Sequence, residues 1–479
     1  MEIMKKSSFL ILIITVLLSS CKDFLDLQPE GQINDKNFYK TENDFEKSII
    51  GAYGSFKDLY STEIFYIGEL LSDNAEISIS SSSVAEMEFD ELSLTPSNTI
   101  IQSGWSKALY TIARCNVIIN RLSAADINVD VKNRIMAEAK FLRAFSYFFM
   151  VQTFGRSPIT DAEFRSPEEI GAADLTLKPE AAVYQKIEED LKSAESLLPP
   201  ALNAERGRVS IGTVKTLLGK VYLTQHKDDL AAPKLKEVID SKHYSLVDDY
   251  KTLFVKGNEN LRESIFELKF ISGANLGNSY SVLFTPASVG LLANGQQGSG
   301  RINPTLNLLS AYDASDKRKA ASVGDAFPVP GGGTTYSRYG LKFVDLTNPN
   351  PRDGGVNFTV LRYADVLLMY AEALTQLNRP ADAEPIINEV RDRADLAAVS
   401  GLDKPAMLQI IDKDRRLEFT FEAQRWYDLK RRGKTQEVIN AYFKAKGLNF
   451  TVADHEVILP IPRREIEINP KIEQNEDYD

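Results

Sequence analysis

The chain has 479 residues, 43% of them hydrophobic and 26% charged, which supplies a large core and excludes an intrinsically disordered protein. Its formal net charge is −11 and no basic stripe runs along it, which excludes the phosphate-neutralising surface of a nucleic-acid binder.

Lys5 and Lys6 precede an apolar run, Phe9 to Leu18, that is too short to span a bilayer and reads as an export signal. The run closes on Leu18-Ser19-Ser20-Cys21. This resembles the lipobox of a bacterial lipoprotein, whose cysteine is acylated and becomes the mature N-terminus. On that reading residues 1–20 are removed, Cys21 carries the lipid, and residues 21–40, with Pro29 and Gly31, are a short tether. Cys115 is then left without a disulfide partner. Ile112, Ile118 and Ile119 surround it, so it is expected in the core.

The body, residues 41–479, is expected to be a single domain. Thr41 to Tyr60 begins it as a helix, with Phe45, Ile49, Ala52 and Phe56 on one face and Thr41/Asp44 as a capping signal. Trp105 to Leu122, Val131 to Phe154 and Glu180 to Leu198 are further amphipathic helices. Downstream, Gly219, Tyr222, Ala231, Leu235 and Val238 repeat a small-and-large spacing. Ala371, Leu374, Ala383, Ile387 and Val390 repeat it again. These are the offsets of a tetratricopeptide (TPR) helical hairpin, in which small residues let two backbones approach. Hairpins of this kind stack, because none buries its apolar face alone. The expected fold class is therefore mainly α: a TPR-like right-handed superhelix of about four helix pairs, with long irregular insertions and a few short strands.

Two insertions interrupt the helices, at about 61–103 and 256–360. The first holds a serine-rich run, Ser78 to Ser83; the second holds NGQQGSG (Asn294 to Gly300), PVPGGG (Pro328 to Gly333) and NPNPRDGG (Asn348 to Gly355). Loops of such length are uncommon unless they are functional. Short strands are expected at Ser264 to Phe270 and Val457 to Pro460. Arg415, Arg416, Glu418, Glu422 and Arg425 fall at helical spacing, so an ion-pair network along one helix is expected, with Phe419, Trp426 and Leu429 packed beneath.

Catalytic motifs are absent: the sequence contains no phosphate-binding G-x-x-x-x-G-K-[ST], no G-x-S-x-G, no H-E-x-x-H and no C-x-x-C. His226, His243 and His455 are too scattered for a metal site. No metal ligand, cofactor or catalytic residue is assigned.

ADVLLMYAEAL (Ala364 to Leu374), RRLEFTFEAQRWYDLKR (Arg415 to Arg431) and LPIPRREIEINPKIEQN (Leu459 to Asn475) follow the lipobox in that order. Together with WSKALYTIARCN (Trp105 to Asn116) and EAKFLRAFSYFFMVQTFG (Glu138 to Gly155), they resemble the signature blocks of the SusD/RagB family. Two positions depart from the family pattern: Arg156-Ser157-Pro158-Ile159 after the Phe-Gly, and Glu476-Asp477-Tyr478 after the final Gln-Asn.

The resemblance implies a lipid-anchored, surface-exposed outer-membrane protein that captures a nutrient, in most cases a glycan. It implies delivery to a SusC-like TonB-dependent β-barrel transporter, and no catalysis. Lys22-Asp23 is similar to the acidic surface-export signal of such lipoproteins. The helices would be scaffold and the insertions the ligand face. Sugars need flat aromatics and a polar rim. Phe65, Tyr66, Phe89, Tyr280 and Tyr336 are the stacking candidates, and Asn74, Asn275, Asn278, Gln296 and Arg301 the polar ones. Neither insertion has a Trp, which weakens the case for a stacking site on a helical polysaccharide and leaves a smaller oligosaccharide, or even a peptide, open. A lipid-anchored glycoside hydrolase and a TPR adaptor binding only protein are the alternatives.

Overall fold

The first helix begins where its capping residues dictate. Thr41 Oγ1 accepts the Asp44 N–H at 3.3 Å, and Asp44 Oδ2 accepts the Thr41 N–H at 2.9 Å, a reciprocal box of the kind that fixes a helix start. The computed structural model describes residues 38–77, 83–199, 207–287, 292, 295–328 and 334–478, with backbone alone at 327, 328 and 334–336. The signal segment, Cys21 and most of the tether lie outside the described residues.

Eight helices form four consecutive pairs: α1 (Glu42–Leu59) with α2 (Thr99–Ser123), α3 (Val129–Phe154) with α4 (Glu180–Leu197), α5 (Ile211–Thr224) with α6 (Asp228–Asp240), and α7 (Tyr363–Gln376) with α8 (Pro380–Arg393). Each pair also packs on the next, including α6 on α7 across the whole 241–362 segment. The result is a TPR-like superhelix. Gly219 shows why small residues recur in it: a Cβ there would stand 2.7 Å from Leu235 of α6. Cys115 is buried on the inner side of α2.

Three more helices, α9 (Lys404–Glu418), α10 (Arg425–Arg431) and α11 (Thr435–Ala445), close the superhelix. The second insertion supplies the longer strands. β1 (Ser264–Leu268) pairs antiparallel with β4 (Phe358–Arg362), and β2 (Val323–Pro328) with β3 (Thr334–Gly340).

The C-terminal end of α3 explains how distant blocks of the sequence are joined. A helix leaves its last four carbonyls without intrahelical partners, and here each has one. Val151 O accepts from Gly155 N at 2.9 Å, with Gly155 in the left-handed conformation (φ 71°). Gln152 O accepts from Lys430 Nζ at 2.5 Å, Thr153 O from Leu459 N at 2.9 Å, and Phe154 O from Asn475 Nδ2 at 3.1 Å. The strand expected at Val457 to Pro460 is therefore corrected. A short 3-10 turn, His455–Val457, precedes an extended segment whose N–H caps a helix instead of joining a sheet. Both departures from the family pattern lie here as well. Arg156 donates to Gln474 O at 2.7 Å, and Tyr478 OH to Ile458 O at 3.0 Å.

The single helix expected through Arg415 to Arg425 is also corrected. It breaks after Glu418, and Phe421 (φ 62°) and Ala423 (φ 58°) turn the backbone through the left-handed region. Gly68 lies against the break, where a Cβ would stand 2.4 Å from Ala423 O. Phe419, Trp426 and Leu429 are buried as expected.

The ion pairs do not run along one exposed face; they are inside the protein. Arg362 meets Glu263 (2.9 Å), Glu418 (2.6 Å) and Glu422 (2.8 Å). Lys342 reaches Glu422 at 2.8 Å, Arg393 pairs with Glu263 at 2.7 Å and with Glu418, and Arg318 binds Asp316 at 2.8 Å. Burial works against the Glu418 charge, yet Arg393, Arg362 and Arg318 hold its carboxyl well below the usual range. A carboxyl depressed in the folded state stabilises above its unfolded pKa, 4.5, and loses that contribution as pH falls below it.

Arg362→Met is expected to cost about 3–5 kcal/mol, because it leaves buried carboxylates unpaired. Urea unfolding would measure this, and a midpoint equal to wild type would contradict it.

Candidate functional site

The two insertions, remote in sequence, form one layer. Ala75–Glu76 pairs antiparallel with Asn303–Pro304. Thr305 donates its N–H to Asn74 O at 3.0 Å and its hydroxyl to Asp73 O at 2.7 Å. Tyr280 OH donates to Tyr60 O at 2.5 Å. Beneath these bonds is an aromatic cluster in which Phe65 meets Tyr280 (5.1 Å), Phe284 (5.0 Å) and Phe358 (5.6 Å), all edge to face.

This packing decides where the expected ligand residues stand. Phe65, Phe89 and Tyr280 are fully buried and Tyr66 nearly so. A stacking platform needs one open ring face, and these four have none, so we assign them to packing. Asn74 is buried too: its amide donates to Glu69 at 3.1 Å and its carbonyl accepts from Arg416 at 2.8 Å. Asn278 is buried and donates to Val356 O at 2.7 Å. The run Ile64, Phe65, Tyr66, Ile67, Leu70, Leu71 in the sequence is the signal that the first insertion begins as core. Gln296 and Asn275 are exposed, and Arg301 is partly exposed. Tyr336 lies in β3, with its side chain outside the described residues.

What the layer presents outward is a charged and hydroxyl-bearing rim. Arg301 pairs with Glu86, which also accepts from Tyr66 OH at 2.9 Å. Glu76 lies between Arg338 (2.6 Å), Lys446 (3.0 Å) and Tyr442 OH (3.2 Å). Burial opposes its charge, but Lys446 and Arg338 keep the carboxyl below its usual value. The cations of this rim are about one-third exposed: 31% for Arg301, 29% for Arg338 and 32% for Lys446. Such groups are held in place by a carboxylate while retaining donors for a ligand's hydroxyls. Sequence reasoning missed Glu76, Arg338, Tyr442 and Lys446, since only the fold brings α11 beside the insertions.

Glu69 lies just under this rim, in a π-helical turn, Tyr66–Leu70. Its carboxylate accepts from Asn74 and, at 2.7 Å, from Ala423 N. Burial pushes it up to about 7.

A family profile described as "Starch-binding associating with outer membrane" matches residues 23–223, and one described as "SusD family" matches residues 321–478. The chain belongs to the SusD/RagB family. SusD-like protein P2 of Formosa agariphila is 28% identical over 98% of this chain and 99% of its own length. A SusD-like protein of Bacteroides ovatus is 27% identical over 90% of this chain and 83% of its own length. Among solved structures, a laminarin-binding SusD-like protein superposes with a TM-score of 0.79 at 29% identity, covering 92% of this chain and all of that one. This SusD-like chain thus shares its TPR-like helical fold with that structure. Among its described residues no helix is long and apolar enough to cross a membrane.

Phe65→Ala is expected to lower stability by about 3–5 kcal/mol through lost packing, measured by thermal or urea unfolding; an unchanged stability would return the ring to the list of open ligand groups. Glu69 should weaken the fold as pH rises. A carboxyl raised in the folded state favours folding at low pH and loses that advantage between its unfolded value, 4.5, and about 7. Glu69→Gln should flatten this slope between pH 5 and 8. An identical slope in the variant would show that other groups carry it.

Proposed function

We propose that this protein is a lipid-anchored outer-membrane binder, exposed at the cell surface. It captures a glycan on the face built by its two insertions and passes it to a SusC-like TonB-dependent β-barrel transporter. The observation that carries the reading is the joining of the insertions into one layer whose rim offers Arg301, Arg338 and Lys446 as oriented donors. Oligosaccharides are oriented by a small number of such precisely placed polar groups. The likeness to a laminarin-binding protein over the full length of that chain supports a glucan or a similar oligosaccharide as ligand. Gln296, Arg301 and Tyr336 remain the sequence-derived contacts, and Cys21 the lipid attachment point.

Binding without cleavage is the better reading of the carboxylates. Asp90 is pushed up to about 6 by burial, a value suited to a general acid. A glycosidase needs a second carboxylate opposite the acid. Glu76 interacts with Asp90, but Arg338 occupies one of its oxygens and Lys446 and Tyr442 the other.

Affinity electrophoresis of the soluble chain from Lys22 onward tests this, with laminarin and a panel of other glycans and a reducing-sugar assay of the same mixtures. Retardation by one glycan class without sugar release is expected. Arg301→Ala and Arg338→Ala should each weaken it by roughly 5- to 30-fold, as lost charge-assisted hydrogen bonds do. Release of sugar, or no retardation by any glycan, would contradict the reading. In cells, Cys21→Ala should move the protein out of the membrane fraction; continued membrane attachment would exclude Cys21 as the anchor.

A further inference from the structure

A narrow chamber of about 60 Å³ lies where the superhelix meets the start of the first insertion. Its walls come from Tyr60 and Ile64, from α3 and α5, from β4, and from the turn that leads into α10. Phe145, Phe148, Phe149 and Phe358 make one side apolar, while Lys220, Gln424 and Asp428 bring polar groups to the other. Gln152, Thr224, Tyr427 and Arg431 also border an open surface cleft, so the chamber has a way in from solvent.

Two of its polar residues are nine-tenths buried and lack partners for the groups they bring. Gln424 is 9% exposed, and its Oε1 accepts from Lys220 Nζ at 2.8 Å and from Arg415 at 3.3 Å. Two cations on the oxygen fix which way the amide points. The two N–H donors of Nε2 are left over, and among the described residues neither has an acceptor. Tyr60 is 6% exposed, with its ring 5.3 Å from that of Phe56 and 5.4 Å from that of Phe358. Its hydroxyl has no hydrogen-bond partner among the described residues. Lys220 adds a third donor set: it gives one N–H to Asp365 at 2.9 Å and one to Gln424, and an ammonium has one more.

Acceptors line the same space. Glu422 and Asp428 are there, each held by guanidinium groups: Glu422 by Arg362, and Asp428 by Arg415 and Arg431. An anion among the donors would face both carboxylates, and a cation would face the amide and the ammonium. Water suits such a mixed lining, because it accepts from the amide and donates to a hydroxyl or carboxylate oxygen. The volume points the same way. It is too small for a sugar ring and matches about two waters at roughly 30 Å³ each.

We propose that this chamber is a built water site, holding an ordered pair that accepts from Gln424 Nε2 and Lys220 and partners the Tyr60 hydroxyl. The pair joins three elements: the end of α1, α5, and the turn before α10. That turn also gives the Ala423 N–H to Glu69 of the first insertion. The waters are therefore part of what seats the inserted layer on the superhelix, whatever ligand that layer takes.

The test is a crystal of the soluble chain from Lys22 onward, soaked in bromide, with Tyr60→Phe beside the wild type. Density for the water pair is expected within hydrogen-bond distance of Gln424 Nε2 and Tyr60 OH, with no bromide anomalous signal. An anomalous peak in the chamber would overturn the proposal in favour of a halide site. Xenon entering the chamber of a pressurised crystal would overturn it in favour of a dry cavity. Tyr60→Phe adds a solution readout whose sign separates the cases. Removing a hydroxyl that is bonded to water loses a hydrogen bond and lowers the urea midpoint, whereas removing an unsatisfied buried hydroxyl raises it. A lower midpoint is expected, together with loss or displacement of the water nearest residue 60. A midpoint at or above wild type, or unchanged water density in the variant, would contradict the assignment.

Discussion

Arg362 holds the architecture together. It stands at the junction of β4 and α7, where the second insertion returns to the superhelix, and its guanidinium reaches Glu263 from the insertion, Glu418 at the end of α9 and Glu422 in the turn beyond. Arg393 of α8 and Lys342 of the insertion complete the same cluster. Burying these charges costs desolvation that their attraction only about repays, so the cluster adds little net stability. Its effect is on geometry. Each partner comes from a different element, and only one arrangement of insertion, hairpin and turn leaves none of them unpaired.

The inserted layer inherits its position from that arrangement. The turn that carries Glu422 also carries Phe421 and Ala423, and these reach Phe284 (5.3 Å) and the Glu69 carboxylate. Glu69 and Asn74 then bind the first insertion to the same point. Donors on the rim are thus oriented from beneath by packed, hydrogen-bonded structure. On the proposed function, a face that recognises an extended, hydroxyl-rich ligand would gain from such preorganisation, since less ordering remains to be done on binding.

Much of the superhelix was legible in the sequence, because helical periodicity and small-residue spacing are local signals. Gly219 stands where α6 presses against α5 and Ala371 is fully buried on α7, and Thr41 and Asp44 fix a helix start without any tertiary context. The site was far less legible. Phe65 and Tyr280 look like exposed aromatics in polar loops, yet they anchor the layer, because sequence does not tell which loop folds over which. Glu76, Arg338 and Lys446 come from three separate stretches and acquire meaning only once β3 and α11 stand beside Ala75–Glu76. The helix break after Glu418 was hidden for a similar reason. Phe421 and Ala423 are ordinary helix or strand residues, and it is the contact with Gly68 and Glu69 that turns the chain there.

On the proposed function, ligand capture belongs to the inserted layer and not to the helical scaffold. Hydrogen–deuterium exchange, measured with and without the glycan that retards the protein most, tests it directly. Slowed exchange is expected within residues 61–103 and 256–360 and beside Lys446, with the α5–α6 and α7–α8 hairpins unchanged. Protection confined to those hairpins would contradict it and would move the glycan site onto the superhelix.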